Sequence, residues 1–168
     1  MNKLIARAME KMVHFYNGNK HDVRHFIKVH SYAAMIGSLE GLDDDTQLTL
    51  ELAAIVHDIA CPLCREKYGN ADGKHQEEEG PALARKFYQE LGDVDEKRIE
   101  RIAYMVGHHH TYTDVDGIDM RILLEADFLV NADEGNVHKP AIRQMREHVF
   151  RTESGIRLLN SIYALLDD

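Results

Sequence analysis

The stretch Leu52-Ala53-Ala54-Ile55-Val56-His57-Asp58-Ile59 constrains the fold more than any other part of the chain. Leu48, Leu52, Ile55 and Ile59 recur at helical spacing, and Ala53, Ala54 and Val56 fill the gaps between them. An apolar stripe this broad needs cover on several sides, so a helix expected over 46–60 should be central to the fold. Near its end an imidazole and a carboxylate stand side by side. Burying that pair is costly unless it is hydrogen-bonded, ion-paired or bound to a metal, and a metal requires further ligands from elsewhere.

The remainder of the chain repeats the helical period. Leu4, Ile5, Ala8, Met9, Met12, Val13 and Tyr16 predict a helix over 3–16. A second begins near His21, with Asp22 as candidate N-cap, and carries His25, Val29, Ala33 and Ile36 on one face. After Pro62, the polar, glycine-containing stretch 65–74 reads as an exposed loop. Further helices are expected over 76–91, 95–108 and 118–132, then near 138–149 and 153–166, where Leu166 ends the last stripe. Acidic loops follow Gly41 and Thr111. No alternating run of strand length occurs. The expected fold is therefore all-α, a compact multi-helix bundle with a site between its central helices, formed by one domain over 1–168.

Composition excludes several classes. Apolar content is 44 % with no 18-residue apolar run, so no membrane span is expected, and the N-terminus lacks a signal-peptide core, which points to the cytoplasm. A net charge of -9 without a basic tract argues against a long nucleic-acid partner, while a small nucleotide held by a few Arg and Lys remains open. The chain has 11 histidines, scattered rather than tag-like. Its two cysteines, Cys61 and Cys64, have the spacing of half a zinc site or a redox pair, but no second pair accompanies them; two reduced thiols is the simpler reading.

Four polar positions are expected to point inward: His25, His57, Asp58 and Asp127, the last among Leu124, Ala126, Phe128, Leu129 and Val130. Imidazoles and carboxylates from separate apolar faces suit a divalent ion. Taken singly, His25 reads more readily as a capping or hydrogen-bonded, partly buried histidine, and Asp127 as a partner for a neighbouring helix's backbone groups or a histidine N–H.

The order of three local contexts adds to this. His25-Phe26-Ile27-Lys28-Val29 gives H-x-x-x-V, Ala54-Ile55-Val56-His57-Asp58-Ile59 gives the doublet, and Leu124-Glu125-Ala126-Asp127-Phe128 gives a late aspartate. Over about 20–135 the chain resembles the HD superfamily of metal-dependent phosphohydrolases, and looks most like its small single-domain members. The resemblance implies that His25, His57, Asp58 and Asp127 hold one ion, with His30 a rival to His25. It also implies that a second ion would use His75, His109 and His110, with Asp58 bridging. His75 precedes Gly80 by five positions rather than the four of the related pattern, leaving one or two ions open and Glu77 or Glu79 as occupants of that region. Fe, Mn, Ni, Co and Zn all suit the donors, and Mg is a further candidate.

The implied reaction is hydrolysis of a phosphate ester, a small nucleotide or phosphomonoester, by metal-activated water. Asp58, His109, His110 and Glu79 are the candidate catalytic groups, Glu79 the least of them. Arg24, Lys28, Arg65, Lys67 and Lys74 are the candidate phosphate contacts, the last three from the 62–75 loop, and Tyr68 or Tyr112 could stack on a base. The Gly-Tyr-Pro motif of cyclic-dinucleotide-degrading relatives is missing after His110. Two other readings stand beside this one. A di-iron oxygenase would carry two irons and consume oxygen with a polyol or phosphonate. A degenerate module binding a nucleotide or partner would show low metal occupancy. A homodimer through the last two helices is a further expectation.

Overall fold

A computed structural model describes residues 2–166, which form α1 (Lys3–Tyr16), α2 (Lys20–Leu39), α3 (Asp44–Val56), α4 (Cys61–Tyr68), α5 (Gly73–Leu91), α6 (Glu96–Val106), α7 (Ile118–Glu134), α8 (Lys139–His148) and α9 (Glu153–Ile162). Among the described residues there are no strands. The all-α expectation is met, with the candidate ligands gathered between central helices.

The middle of the bundle is α3. Leu50 and Leu52–Val56 are all buried, and the helix packs against α1, α2, α6 and α7. Its partner α7 is nearly as apolar, burying Met120, Ile122, Leu123, Leu124, Ala126, Phe128, Leu129 and Val130. Outer helices offer one face each: α1 buries Ile5, Ala8, Met12 and Tyr16, and α6 buries Ile99, Ile102, Ala103, Met105 and Val106. By length and composition 44–68 would pass as a membrane-crossing helix. In the fold a turn at 57–60 splits it, and its apolar side chains are taken up by neighbouring helices.

Several boundaries differ from the sequence expectations. Asp22 lies within α2; the N-cap is Asn19, whose side chain accepts from the Asp22 N–H. The central helix stops at Val56 rather than 60, because His57 Nδ1 turns back to Ala54 O at 2.8 Å and the Asp58 carbonyl accepts from Cys61 N and the Tyr16 hydroxyl. Residues 61–68, half expected as loop, are helical. Pro62 starts that helix instead of breaking order, since a first-turn residue needs no N–H donor. The helix expected from 76 begins at Gly73. The last helix ends at Ile162, and Leu166 is 73 % exposed, so it does not complete the core.

Close approach of α5 to α6 depends on Gly80. A Cβ there would lie 2.5 Å from Val106 Cγ1, so a larger residue would push apart the two helices whose ends carry His75 and His109.

Candidate metal centre

The turn after α3 presents His57 and Asp58, the first turns of α2 present His25, the middle of α7 presents Asp127, and the turn after α6 presents His109 and His110. These elements meet at one place. His25 Nε2 lies 3.2 Å from His57 Nε2, 3.2 Å from Asp127 Oδ1 and 3.4 Å from Asp58 Oδ2. His57 Nε2 lies 3.4 Å from Asp127 Oδ1 and 3.5 Å from Asp58 Oδ2. His109 Nε2 approaches the other Asp58 oxygen, Oδ1, at 3.2 Å. Asp58 thus divides its carboxylate between two groups, one with His25 and His57, the other with His109 and His110.

The proton positions give this arrangement its meaning. His57 Nδ1 and His109 Nδ1 contact the carbonyls of Ala54 and Val106, each at 2.8 Å. A carbonyl only accepts, so both nitrogens carry protons and donate. His25 Nδ1 donates in the same way to Glu134 Oε2 at 2.9 Å. With Nδ1 committed on all three rings, the Nε2 atoms turn lone pairs toward one another and toward two carboxylates. Only a positive charge makes that stable. Glu134 and the two carbonyls supply the outer hydrogen bonds that usually fix histidine ligands to a metal.

The same need appears as pKa shifts. Burial lowers the His25 pKa, but the carboxylates of Asp127, Asp58 and Glu134 outweigh it and push the value up to about 9. Burial would raise Asp58 and Asp127; the imidazoles around them prevail and hold both well below the usual carboxylate range. His109 is raised by Asp58 and Asp127 against its burial. His110 moves the other way, down to about 4, through burial and the neighbouring His109. It is therefore neutral near pH 7, as a metal ligand must be.

The donors fit a divalent ion. Atoms bound to one ion at roughly 2.0–2.2 Å stand about 3.0–3.5 Å apart, the range seen between the Nε2 atoms of His25 and His57 and from each to Asp58 and Asp127. Asp127 Oδ1 is buried without a hydrogen-bond partner, and so is His110 Nε2. The first lies against the Nε2 atoms of His25 and His57, and the second belongs to the group with Asp58 and His109. Two histidines and two carboxylates, with further histidines beside them, suit Fe, Mn, Co, Ni or Zn.

Other sequence candidates lie elsewhere or are already engaged. His30 is 3.0 Å from Glu51 at the edge of a separate cleft of about 620 Å³. His75 stacks on Tyr68 with centroids 3.8 Å apart, and its Nδ1 is buried without a hydrogen-bond partner, 3.9 Å from Glu78; it joins neither ligand group. His108 turns outward to stack on Tyr104. Glu79 is held by Lys67 Nζ at 2.5 Å and Tyr68 Oη at 2.7 Å. Arg65 is bidentate to the buried Asp22, at 2.6 and 3.0 Å. Lys28 contacts Glu134 at 3.1 Å. Arg24 is exposed beside a small apolar cleft with Val13 and Val23, and Lys74 is exposed on the first turn of α5. Cys61 and Cys64 are buried free thiols outside both ligand groups, and burial together with nearby Asp58 pushes the Cys61 thiol up.

Sequence reading missed Glu134. It falls seven residues after Asp127, on the same face of α7, and that spacing was the available signal.

Comparison with known proteins agrees with this geometry. Residues 22–134 match the HD domain family. A crystal structure of a predicted HD superfamily hydrolase from an uncultured Thermotogales bacterium is similar in fold, with a TM-score of 0.65 and 22 % identity over 97 % of this chain and 84 % of that one. No curated protein matches significantly. With two thirds of its length matched to the family and the ligand residues gathered at one point, the chain belongs to the HD-domain superfamily of metal-dependent phosphohydrolases.

Proposed function

We propose that the protein hydrolyses a small phosphate ester, a nucleotide or another phosphomonoester, at the centre formed by His25, His57, Asp58 and Asp127. The observation that carries this reading is the convergence of Nε2 lone pairs and carboxylate oxygens at 3.2–3.5 Å, with every Nδ1 proton already committed. A divalent cation held there lowers the pKa of water and offsets charge on a phosphoryl group.

The residues divide the remaining tasks. His25, His57 and Asp127 are almost completely buried, whereas the Asp58 side chain is 19 % exposed, so water and ester approach from the Asp58 side. Asp58 accepts a hydrogen bond from the incoming water and orients it for in-line attack. With a single ion bound, His109, raised in pKa beside Asp58, carries the proton for the leaving oxygen; where a second ion sits beside Asp58, its Nε2 and neutral His110 are ligands instead. Of the five cations expected to meet phosphate, Arg65, Lys28 and Lys67 are tied to carboxylates. Lys74 is the one we assign to phosphate. It is exposed on the α5 turn whose Gly73 lies against His110. A cytoplasmic setting belongs to the same proposal, since buried free thiols suit a reducing compartment.

The test is a screen of nucleotides and phosphate esters against protein loaded separately with Mn, Fe, Co, Ni, Zn and Mg, with Asp58→Ala alongside. Release of phosphate by the loaded protein and not by the variant is the expected result. Equal residual rates on every substrate would sink the hydrolase reading.

A further inference from the structure

The His108-His109-His110 triplet lies in the turn that closes α6, and the last of the three is held from outside. Gly73, the first residue of α5, sits against the His110 ring. A Cβ at Gly73 would come within 2.6 Å of His110 Cγ, 2.8 Å of its Cβ and 3.0 Å of its Cδ2. These are the near atoms of the side chain rather than a free end, so relief requires moving either the ring or the start of α5. One helical turn later, Glu77 Oε1 accepts from the His110 backbone N–H at 3.0 Å and from the Thr111 hydroxyl at 2.9 Å. The far end of the ring, Nε2, is buried without a hydrogen-bond partner, and its possible ligand atoms group with those of Asp58 and His109. An imidazole nitrogen left buried and unpaired costs free energy that a shared cation would remove.

We propose that Gly73 and Glu77 form a clamp that holds His110 at a second cation position beside Asp58 and His109, and thereby determine whether the centre binds one ion or two. Neither residue touches the ion; both are positioning residues that act through His110. The inference rests on reading the centre as metal-binding. It transfers the choice between one and two ions from His75, which belongs to neither ligand group, to Gly73 and Glu77 on the same helix.

The test is a calorimetric Mn²⁺ titration of chelator-stripped protein. Bound manganese is counted by elemental analysis, and spin coupling between neighbouring ions is read by EPR. The chains compared are the unaltered protein, His110→Ala, Gly73→Ala, Glu77→Ala and Glu77→Gln. The unaltered protein should bind two ions with a coupled signal, and His110→Ala one. Gly73→Ala and Glu77→Ala should weaken the second ion about ten- to hundredfold with the first unchanged, the usual size of an outer-shell loss. Glu77→Gln, which keeps an accepting oxygen, should lose less than Glu77→Ala. Unfolding temperatures identify a chain that has not folded. If Gly73→Ala is one, the Glu77 pair carries the test, because it leaves the backbone contact at Gly73 intact. Two ions of unaltered affinity in the folded clamp variants overturn the clamp alone. A single ion in the unaltered protein, or two in His110→Ala, overturns the second position and the clamp with it. No ion at all overturns the metal reading.

Discussion

Two carboxylates on the same helix, Glu125 and Asp127, are buried to nearly the same degree and have opposite surroundings. Glu125 faces donors. It accepts from Arg151 N at 2.6 Å, from Thr152 N at 3.1 Å and from the Thr152 hydroxyl, which fastens α7 to the start of α9. Asp127 faces acceptors. Its neighbours are the Nε2 atoms of His25 and His57 and the carboxylate of Asp58, and Oδ1 has no hydrogen-bond partner. Burial raises the pKa of Glu125 despite its donors, whereas the imidazoles hold Asp127 well below the usual range against its burial. A buried carboxylate completed by its own backbone is a structural tie, and one aimed at lone pairs is half of a cation site. Burial alone does not tell them apart; the hydrogen-bond partners do.

The sharpest way to break this contrast is to remove a carboxylate from the centre. Asp58→Ala should lower phosphate-ester turnover by about 10³-fold or more, some 4 kcal/mol of barrier, and lower the unfolding temperature of the metal-free protein only in so far as Asp58 pairs with protonated imidazoles there. Loss of stability without loss of turnover would make the centre a structural tie like the other. At the α7–α9 junction the outcome should reverse. Glu125→Ala leaves two backbone N–H groups and a hydroxyl without an acceptor and should cost about 3–4 kcal/mol in denaturant unfolding. Metal affinity should stay unchanged.

A smaller effect concerns protons acting in place of the ion. In metal-stripped protein His25 has its pKa raised to about 9, so the stability it contributes is fully present below about pH 6.5 and is lost as pH rises through 9. The loss should be on the order of 3 kcal/mol. Metal-loaded protein should show the opposite trend, because ligand deprotonation favours the ion. The unfolding temperatures of the two forms should therefore diverge between pH 6.5 and 9. If the stripped protein is equally stable across that window, no positive charge is needed among these side chains.

Much of this contrast could be read in the sequence, and the unread part has physical causes. Apolar spacing identified α1, α6, α7 and the central helix, because each buries a face against neighbours and the period survives in the residues. It also pointed His25, His57, Asp58 and Asp127 inward. The end of the central helix was hidden, since Ile59 and Ala60 prolong the apolar run while the stop comes from the His57 ring and the Tyr16 hydroxyl, contacts made only in the folded chain. The polar composition of 65–68 concealed a helix that Pro62 begins. Arg65, Lys28 and Lys67 resembled phosphate ligands because Asp22, Glu134 and Glu79 lie on other helices, where no periodicity reveals a pair.

The smallest predicted effect tests the residue that the sequence hid best. Glu134, the last residue of α7, lies beside a Gly-Asn turn, yet its Oε2 accepts from His25 Nδ1 while its Oε1 holds Lys28. Its carboxylate makes Nδ1 the donor and so leaves Nε2 aimed at Asp127 and His57. Glu134→Ala frees the ring to rotate and change tautomer, and should weaken metal binding about ten- to hundredfold, or 1.4–2.8 kcal/mol. Glu134→Gln keeps an accepting oxygen but loses the charge, so about tenfold or less is expected. Glu134 is 18 % exposed, and water can replace part of what is lost, which keeps both effects below that of removing Asp58 itself. Equal affinity for the ion in all three chains would show that the tight packing of His25 fixes the ring without its carboxylate.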